Sequence, residues 1–297
     1  MAASILLLVW IHTNRAGVKQ GYRRRIESWP RQNWICYAPT GYDPYRSLFP
    51  TAASITKDLA LIKKAGFQGV VTYGSIGSLA LIPAIAQGTE LQVIQGVWEP
   101  GDRRELEAAI AMQHQVAGYC VGNEGLGSRY TFQELDAGVA YLANRVRLPV
   151  AVSEQVHIYH QHPKLIDLGD WLFPIVHPHF GNAKSPEAAL EWVRRRTSEL
   201  AALARARGSE KPLFIKEIGM PSHGDPEYSE IGQAQFLSRL VRDCDLHFVL
   251  FEAFDRKGWE YNSPIEPYWG VFRHDRSPKA VLTSVTGLAK TCSAEER

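Results

Sequence analysis

The sequence predicts a single (β/α)8 barrel in the α/β class, and three observations carry that expectation. Eight short apolar runs occur without polar alternation, as in parallel strands buried on both faces. A helical pattern follows each of them, at the beat of repeated βα units. The turn after the first run, Ala38-Pro-Thr-Gly-Tyr-Asp-Pro44, lacks the glycine fingerprint that a doubly wound nucleotide fold places there. A chain of 297 residues, with no linker or low-complexity tract, fits one such barrel over residues 31–297.

The elements follow in order. Trp34 to Ala38 reads as the first strand and Thr51 to Ala65 as its amphipathic helix, stopped by Gly66. Gly69 to Tyr73 is the second strand, with a helix from about Ser78 to Ala86. Leu91 to Trp98 is the third, followed by a helix from Arg103 to His114. Val116 to Val121 is the fourth; its helix spans Thr131 to Val146, opened by a Thr131–Glu134 capping box. Pro149 to Ser153 is the fifth strand, with a short helical stretch from Pro163 to Leu168. Trp171 to Val176 is the sixth, and its long helix runs from Pro186 to Arg207, with proline in the first turn and Gly208 at the end. Leu213 to Lys216 and His247 to Glu252 complete the set, with helices Ser229 to Arg242 and Pro278 to Lys290.

Composition narrows the function classes. Hydrophobic residues make up 45% and charged residues 22%, which is ordinary for a globular protein. A net charge of +2 gives no basis for nucleic-acid binding. Residues 1–30 stand apart: Ala2 to Ile11 is apolar but for Ser4, and Lys19 with Arg23, Arg24 and Arg25 follows. This segment reads as a shortened signal-anchor or a misplaced gene start, with an N-terminal helix packed on the domain as the alternative. Cys36, Cys120, Cys244 and Cys292 are widely spaced with no CxxC pair, which argues against a zinc knuckle. Three of them sit in apolar, strand-like runs that favour buried free thiols, so no disulfide framework is expected and the redox compartment is left open.

In such a barrel, chemistry collects at the carboxyl ends of the strands. Glu124 follows the fourth strand and Glu217 the seventh, 93 residues apart in sequence yet across one barrel mouth. Paired carboxylates flanking a sugar bond are the machinery of glycoside hydrolysis. Asn123, directly before Glu124, is placed to hydrogen-bond a sugar hydroxyl. Tyr37, Tyr73, Trp98, His177, Phe180, Glu252, Phe254, Trp259 and Trp269 also fall at or beyond strand ends. A carboxylate closing an apolar strand, as Glu252 does, needs a polar partner.

Val121-Gly-Asn-Glu-Gly125, Lys216-Glu-Ile-Gly-Met-Pro-Ser222, Phe251-Glu-Ala-Phe-Asp255 and Tyr268-Trp-Gly-Val-Phe272 with Ser277-Pro-Lys279 resemble the successive motifs of glycoside hydrolase family 17. Ile35-Cys-Tyr-Ala-Pro39 and Thr72-Tyr-Gly-Ser75 fit its bacterial members, so the resemblance spans about residues 34–280. It implies a retaining hydrolase or transglycosylase of β-1,3-linked glucan, with Glu124 as acid/base and Glu217 as nucleophile. It further implies that Asn123 holds the sugar 2-hydroxyl, that Glu252 and Tyr37 line the −1 subsite, and that Trp259 joins a sugar platform. Ile218 and Met220 depart from the usual Glu-Thr-Gly-Trp-Pro-Ser motif. Phe254-Asp-Arg-Lys-Gly-Trp-Glu260 departs from Phe-Asp-x-Pro-Trp-Lys, so the linkage preference stays open.

Other readings remain. A non-catalytic glucan-binding barrel is the second, although a pure binder has no need of both carboxylates. His157, His160 and His162 with His177 and His179 offer a metal-site reading, but their spacing matches no common zinc motif. The expectation is no metal and no cofactor. The expected partner is a β-glucan oligo- or polysaccharide. The chain is expected as a monomer, periplasmic, secreted or anchored facing outward through its N-terminal segment.

Overall fold

The computed structural model describes residues 21–29, 33–260 and 262–282. Seven parallel strands form one sheet: β1 Trp34–Cys36, β2 Gly69–Val71, β3 Gln92–Val97, β4 Gly118–Val121, β5 Val150–Val152, β6 Ile215–Ile218 and β7 Phe248–Leu250. The order is β5-β4-β3-β2-β1-β7-β6, so the first strand sits inside the sheet and the chain wraps round to meet it. This is the curved parallel sheet of a TIM-like fold. All seven strands are buried along nearly their whole length, which is why the sequence shows runs rather than alternation.

The expected sixth strand, Trp171 to Val176, is not a ladder strand among the described residues. It touches its neighbours only at isolated bridges, Gln155 with Ile175 on one side and Leu172 with Leu213 and Ile175 with Glu217 on the other. Pro174 explains the interruption, because it has no N–H to donate within this run.

The helices follow the pattern closely. They are α1 Ala52–Lys64, α2 Ile82–Gly88, α3 Arg103–Ala111, α4 Phe132–Ala143, α5 Val156–Gln161, α6 Pro186–Ala206 and α7 Glu230–Val241. Side-chain oxygens of Thr51, Asp102, Thr131, Ser185 and Ser229 cap five of them, and Thr131 with Glu134 forms the expected capping box. In α1, Ile55, Leu59 and Ile62 make the buried stripe. The short helix α5 is not legible as a helix in the sequence. The stretch after Pro163 is a 3-10 turn, Pro163–Asp167.

Residues 21–28 are helical, and Ile26 and Trp29 are buried. Trp29 sits edge-on to Trp34 and Trp171, and its carbonyl accepts the Trp34 indole N–H. The packed core therefore reaches back to Ile26, into the stretch that the sequence sets apart as an N-terminal segment. Residues 1–20, with the apolar run, lie outside the described residues, as does most of the expected helix Pro278 to Lys290. Cys36 and Cys120 are buried free thiols, whereas Cys244 is disulfide-bonded, which corrects the expectation of free cysteines. Among the described residues no helix is long and apolar enough to cross a membrane.

Candidate active site

Glu124 and Glu217 lie at the carboxyl ends of β4 and β6, where the sequence places them. The turn carrying Glu124 is built for an unusual backbone. Gly122 and Glu124 both have positive φ, 74° and 49°, and a Cβ on Gly125 would run into the Tyr130 ring. Glu154, almost fully buried, holds this turn from below: its Oε1 accepts from the Tyr130 hydroxyl at 2.6 Å and from the N–H groups of Gly125 and Leu126 at 3.3 and 3.2 Å. Arg129 braces the other side, donating to the carbonyls of Asn123 and Trp98 while its guanidinium lies 3.8 Å over the Trp98 ring.

The two carboxylates sit in opposite electrostatic settings. Burial alone would raise Glu217, but the Lys216 ammonium at 2.7 Å and His177 at 3.4 Å bring its carboxyl down to about 2. Glu124 keeps solvent access, yet the surrounding walls strip enough water to push its carboxyl up, and the charge of Glu217 adds to this. His177, a 2.7 Å hydrogen bond from Gln155 Nε2 and Lys216 pull the other way. The site thus sets a carboxylate held in its ionised form against a second carboxyl whose proton affinity is raised.

Asn123 is nearly buried, and its Oδ1 accepts from the Lys216 ammonium. Glu252, 2% exposed, pairs with Arg256 at 2.6 Å through Oε2, while its Oε1 is buried without a partner. Burial pushes Glu252 up to about 7, with Arg256 opposing. Tyr73 lies beneath both cations, 4.5 Å from Lys216 and 5.5 Å from Arg256, with its hydroxyl buried and unpaired. His177 packs against Trp269, 4.8 Å away, and Phe251.

Other predicted residues have partners of their own. Tyr37 is fully buried and its hydroxyl donates to Asp58, so that hydroxyl is already committed inside the fold. Phe254 is buried and stacks on Phe272. Trp259 lines a cavity of about 300 Å³ with Tyr42, Asp43, Arg46, Lys257 and His274. A second cavity, of about 420 Å³, opens beside the pair and is lined by Gln155, His157, His177, Phe180, Trp192 and Arg196. Among the described residues no three His, Cys, Asp or Glu side chains form a metal cluster; His179 instead meets the Tyr228 hydroxyl at 2.7 Å. Sequence reasoning missed Lys216, Arg256, Gln155 and Glu154. The last two follow β5 directly, which is the signal that would have found them.

A parallel α/β sheet with two glutamates at opposed strand ends, beside aromatic-lined cavities, defines the class of barrel glycosidases. The chain belongs to the BtgE/BtgC glycoside hydrolase domain family, whose model matches residues 35–270. It is similar in fold to the glycoside hydrolase family 17 β-1,3-glucanosyltransferase of Rhizomucor miehei, with a TM-score of 0.71 and 21% identity over 88% of this chain and 100% of that one. An active-site mutant of that enzyme, in complex with laminaritriose, matches equally well. The fold also resembles an endo-laminarinase from Formosa Hel1_33_131, with a TM-score of 0.75 and 17% identity over 86% and 87% of the two chains. No curated protein sequence matches the chain.

Proposed function

We propose that this glycoside hydrolase domain is a retaining enzyme of β-1,3-linked glucan, acting by hydrolysis or by transfer to a second sugar. The observation that carries the reading is the divergence of the two carboxyls: Glu217 held ionised at about 2, Glu124 pushed upward. Two carboxyls whose surroundings drive their proton affinities apart mark a nucleophile and an acid. Glu217 attacks the anomeric carbon while Glu124 protonates the departing oxygen; Glu124 then takes the proton of the incoming acceptor. The fold neighbours include a β-1,3-glucanosyltransferase, its laminaritriose complex and an endo-laminarinase, which support the choice of glucan. The cavity beside Gln155 and His177, and the one beside Arg256 and Trp259, are of a size to take sugar units.

In this reading, residues 171–176 take the eighth place of a closed (β/α)8 barrel, since they bridge Gln155, just beyond β5, to Leu213 and Glu217. An extracytoplasmic location fits the disulfide at Cys244, because such bonds persist in oxidising compartments. The test is to chromatograph products from β-1,3-, β-1,6- and mixed-linked glucan oligosaccharides. Longer products show transfer and shorter ones hydrolysis. Binding with no turnover of any member of the panel overturns the enzyme reading.

A further inference from the structure

Adjacent residues of a regular strand face opposite ways, yet Lys216 and Glu217 meet in one site. The register of β6 explains this. Ile215 pairs with Phe248 and Ile218 with Leu250, so β6 spends one more residue than β7 between these points. That extra residue is a bulge, a feature that re-aims side chains. It turns a lysine that is 1% exposed into the mouth of the barrel. There the ammonium donates to Glu217 Oε1 at 2.7 Å and to Asn123 Oδ1, and lies 4.5 Å over the Tyr73 ring.

We propose that Lys216 is a positioning residue: it sets which face Asn123 shows to the sugar and which oxygen of Glu217 attacks. This rests on the retaining-glycosidase reading above. An ammonium has only donors, so it selects the carbonyl oxygen of the Asn123 amide and leaves the NH2 group to donate to a sugar hydroxyl. It also occupies Oε1 of Glu217. The other oxygen, Oε2, has only the longer 3.4 Å contact with His177 and keeps a lone pair for attack.

In the first step that lone pair forms the bond to the anomeric carbon. The bond from this carbon to the leaving oxygen breaks, and that oxygen keeps the electron pair and takes the Glu124 proton. Glu217 loses its charge on becoming an ester, while Lys216 keeps its proton throughout. When the acceptor attacks, the carboxylate charge returns beside the ammonium, which favours its departure.

Two measurements test the role. The first is a carbon-13 NMR titration of the Glu217 carboxyl, assigned by its loss in Glu217→Gln, which needs no activity. The carboxyl also feels His177 near the end of the bridged segment 171–176, Glu124 beyond β4, Cys120 on β4, Tyr73 beyond β2, Cys36 on β1, and Glu252 and Glu266 beyond β7. These stay in place in Lys216→Met. The carboxyl is therefore expected to titrate well above its wild-type value of about 2 in that variant.

The second compares kcat/KM for an aryl β-glucoside and its 2-deoxy analogue. Contacts to the 2-hydroxyl contribute strongly in the transition state, so the wild type is expected to lose on the order of 10²-fold or more without it. In Lys216→Met that loss should shrink to under about 10-fold, because the amide is no longer oriented. Lys216→Gln keeps a neutral donor; it should retain much of the 2-hydroxyl preference while the carboxyl still titrates higher, and it serves if the methionine variant misfolds. An unchanged Glu217 titration in either variant, or an unchanged 2-hydroxyl dependence in a folded Lys216→Met, overturns the proposal. A wild type that turns over no β-glucoside overturns the functional reading instead, and the titration still reports on Lys216.

Discussion

Replacing Arg256 by methionine should destabilise the protein in a way that depends on pH, because Arg256 is the cation beside buried Glu252. Burial raises Glu252 from an ordinary 4.5 to about 7 even with the guanidinium present. The folded state thus binds this proton more tightly than the unfolded state. Stability is fully present below 4.5 and falls as pH rises through 7, by about 3 kcal/mol in total. Without Arg256 the folded carboxyl is driven higher still, so the loss continues above pH 7. At pH 5, Glu252 is neutral in both proteins. The variant there loses mainly the guanidinium's contacts with the rings of Trp259 (4.7 Å) and Tyr73 (5.5 Å), about 1–2 kcal/mol. At pH 9 the wild type has the buried ion pair and the variant a buried charge with no partner, a gap of about 3–5 kcal/mol. Urea unfolding of both proteins at pH 5, 7 and 9 measures the difference. An equal gap at pH 5 and pH 9 would refute the reasoning.

Glu217→Ala should abolish turnover of both an oligosaccharide and an activated aryl glucoside, whereas Glu124→Ala should lose the first and still be glycosylated by the second. General acid–base catalysis contributes on the order of 10²–10⁴-fold, and azide should restore turnover of Glu124→Ala with a β-configured product; an α-configured product from azide and Glu217→Ala would reverse the two roles. Gln155→Ala removes a donor to the Glu124 carboxylate at a solvent-accessible site, so the discounted loss is about 0.5–1 kcal/mol. The alkaline limb of the activity profile should move up by roughly half a pH unit, and a downward move would contradict the assigned contact. Tyr130→Phe takes the 2.6 Å donor from buried Glu154 and should cost about 1.5–3 kcal/mol, read as a lowered denaturation midpoint at unchanged m-value.

Much of this architecture is legible in the sequence for a simple reason: strands buried on both faces leave uninterrupted apolar runs, and helix ends carry their caps. Seven runs and six helices can be placed from those signals, and Glu124 and Glu217 follow from standing just past two of the runs. Two places depart from the simple pattern for local reasons. Trp171 to Val176 is as apolar as any strand, but Pro174 denies it a ladder bond. Tyr37 stands at a strand end as the cleft residues do, yet Asp58, on the buried stripe of α1, claims its hydroxyl. Lys216 was hidden by the period of two itself: next to a residue facing the cleft, a strand position reads as facing away, and only the bulge reverses it. Arg256 stands four residues past Glu252 and could have been sought as the partner a buried carboxylate needs, whereas the contact of Gln155 with Glu124 joins two strand ends 31 residues apart.

The left-handed backbone at Glu124 sets stability and chemistry against each other at a single codon. With φ at 49°, any side chain there carries a penalty of about 1–2 kcal/mol that glycine would escape and asparagine would feel less. Laboratory evolution that rewards heat resistance alone should therefore discard this glutamate early, and the better-folding descendants would be inert. A library screened on melting temperature needs a turnover assay beside it, because at this position the more robust protein is the one that has given up the carboxyl proposed as its proton donor.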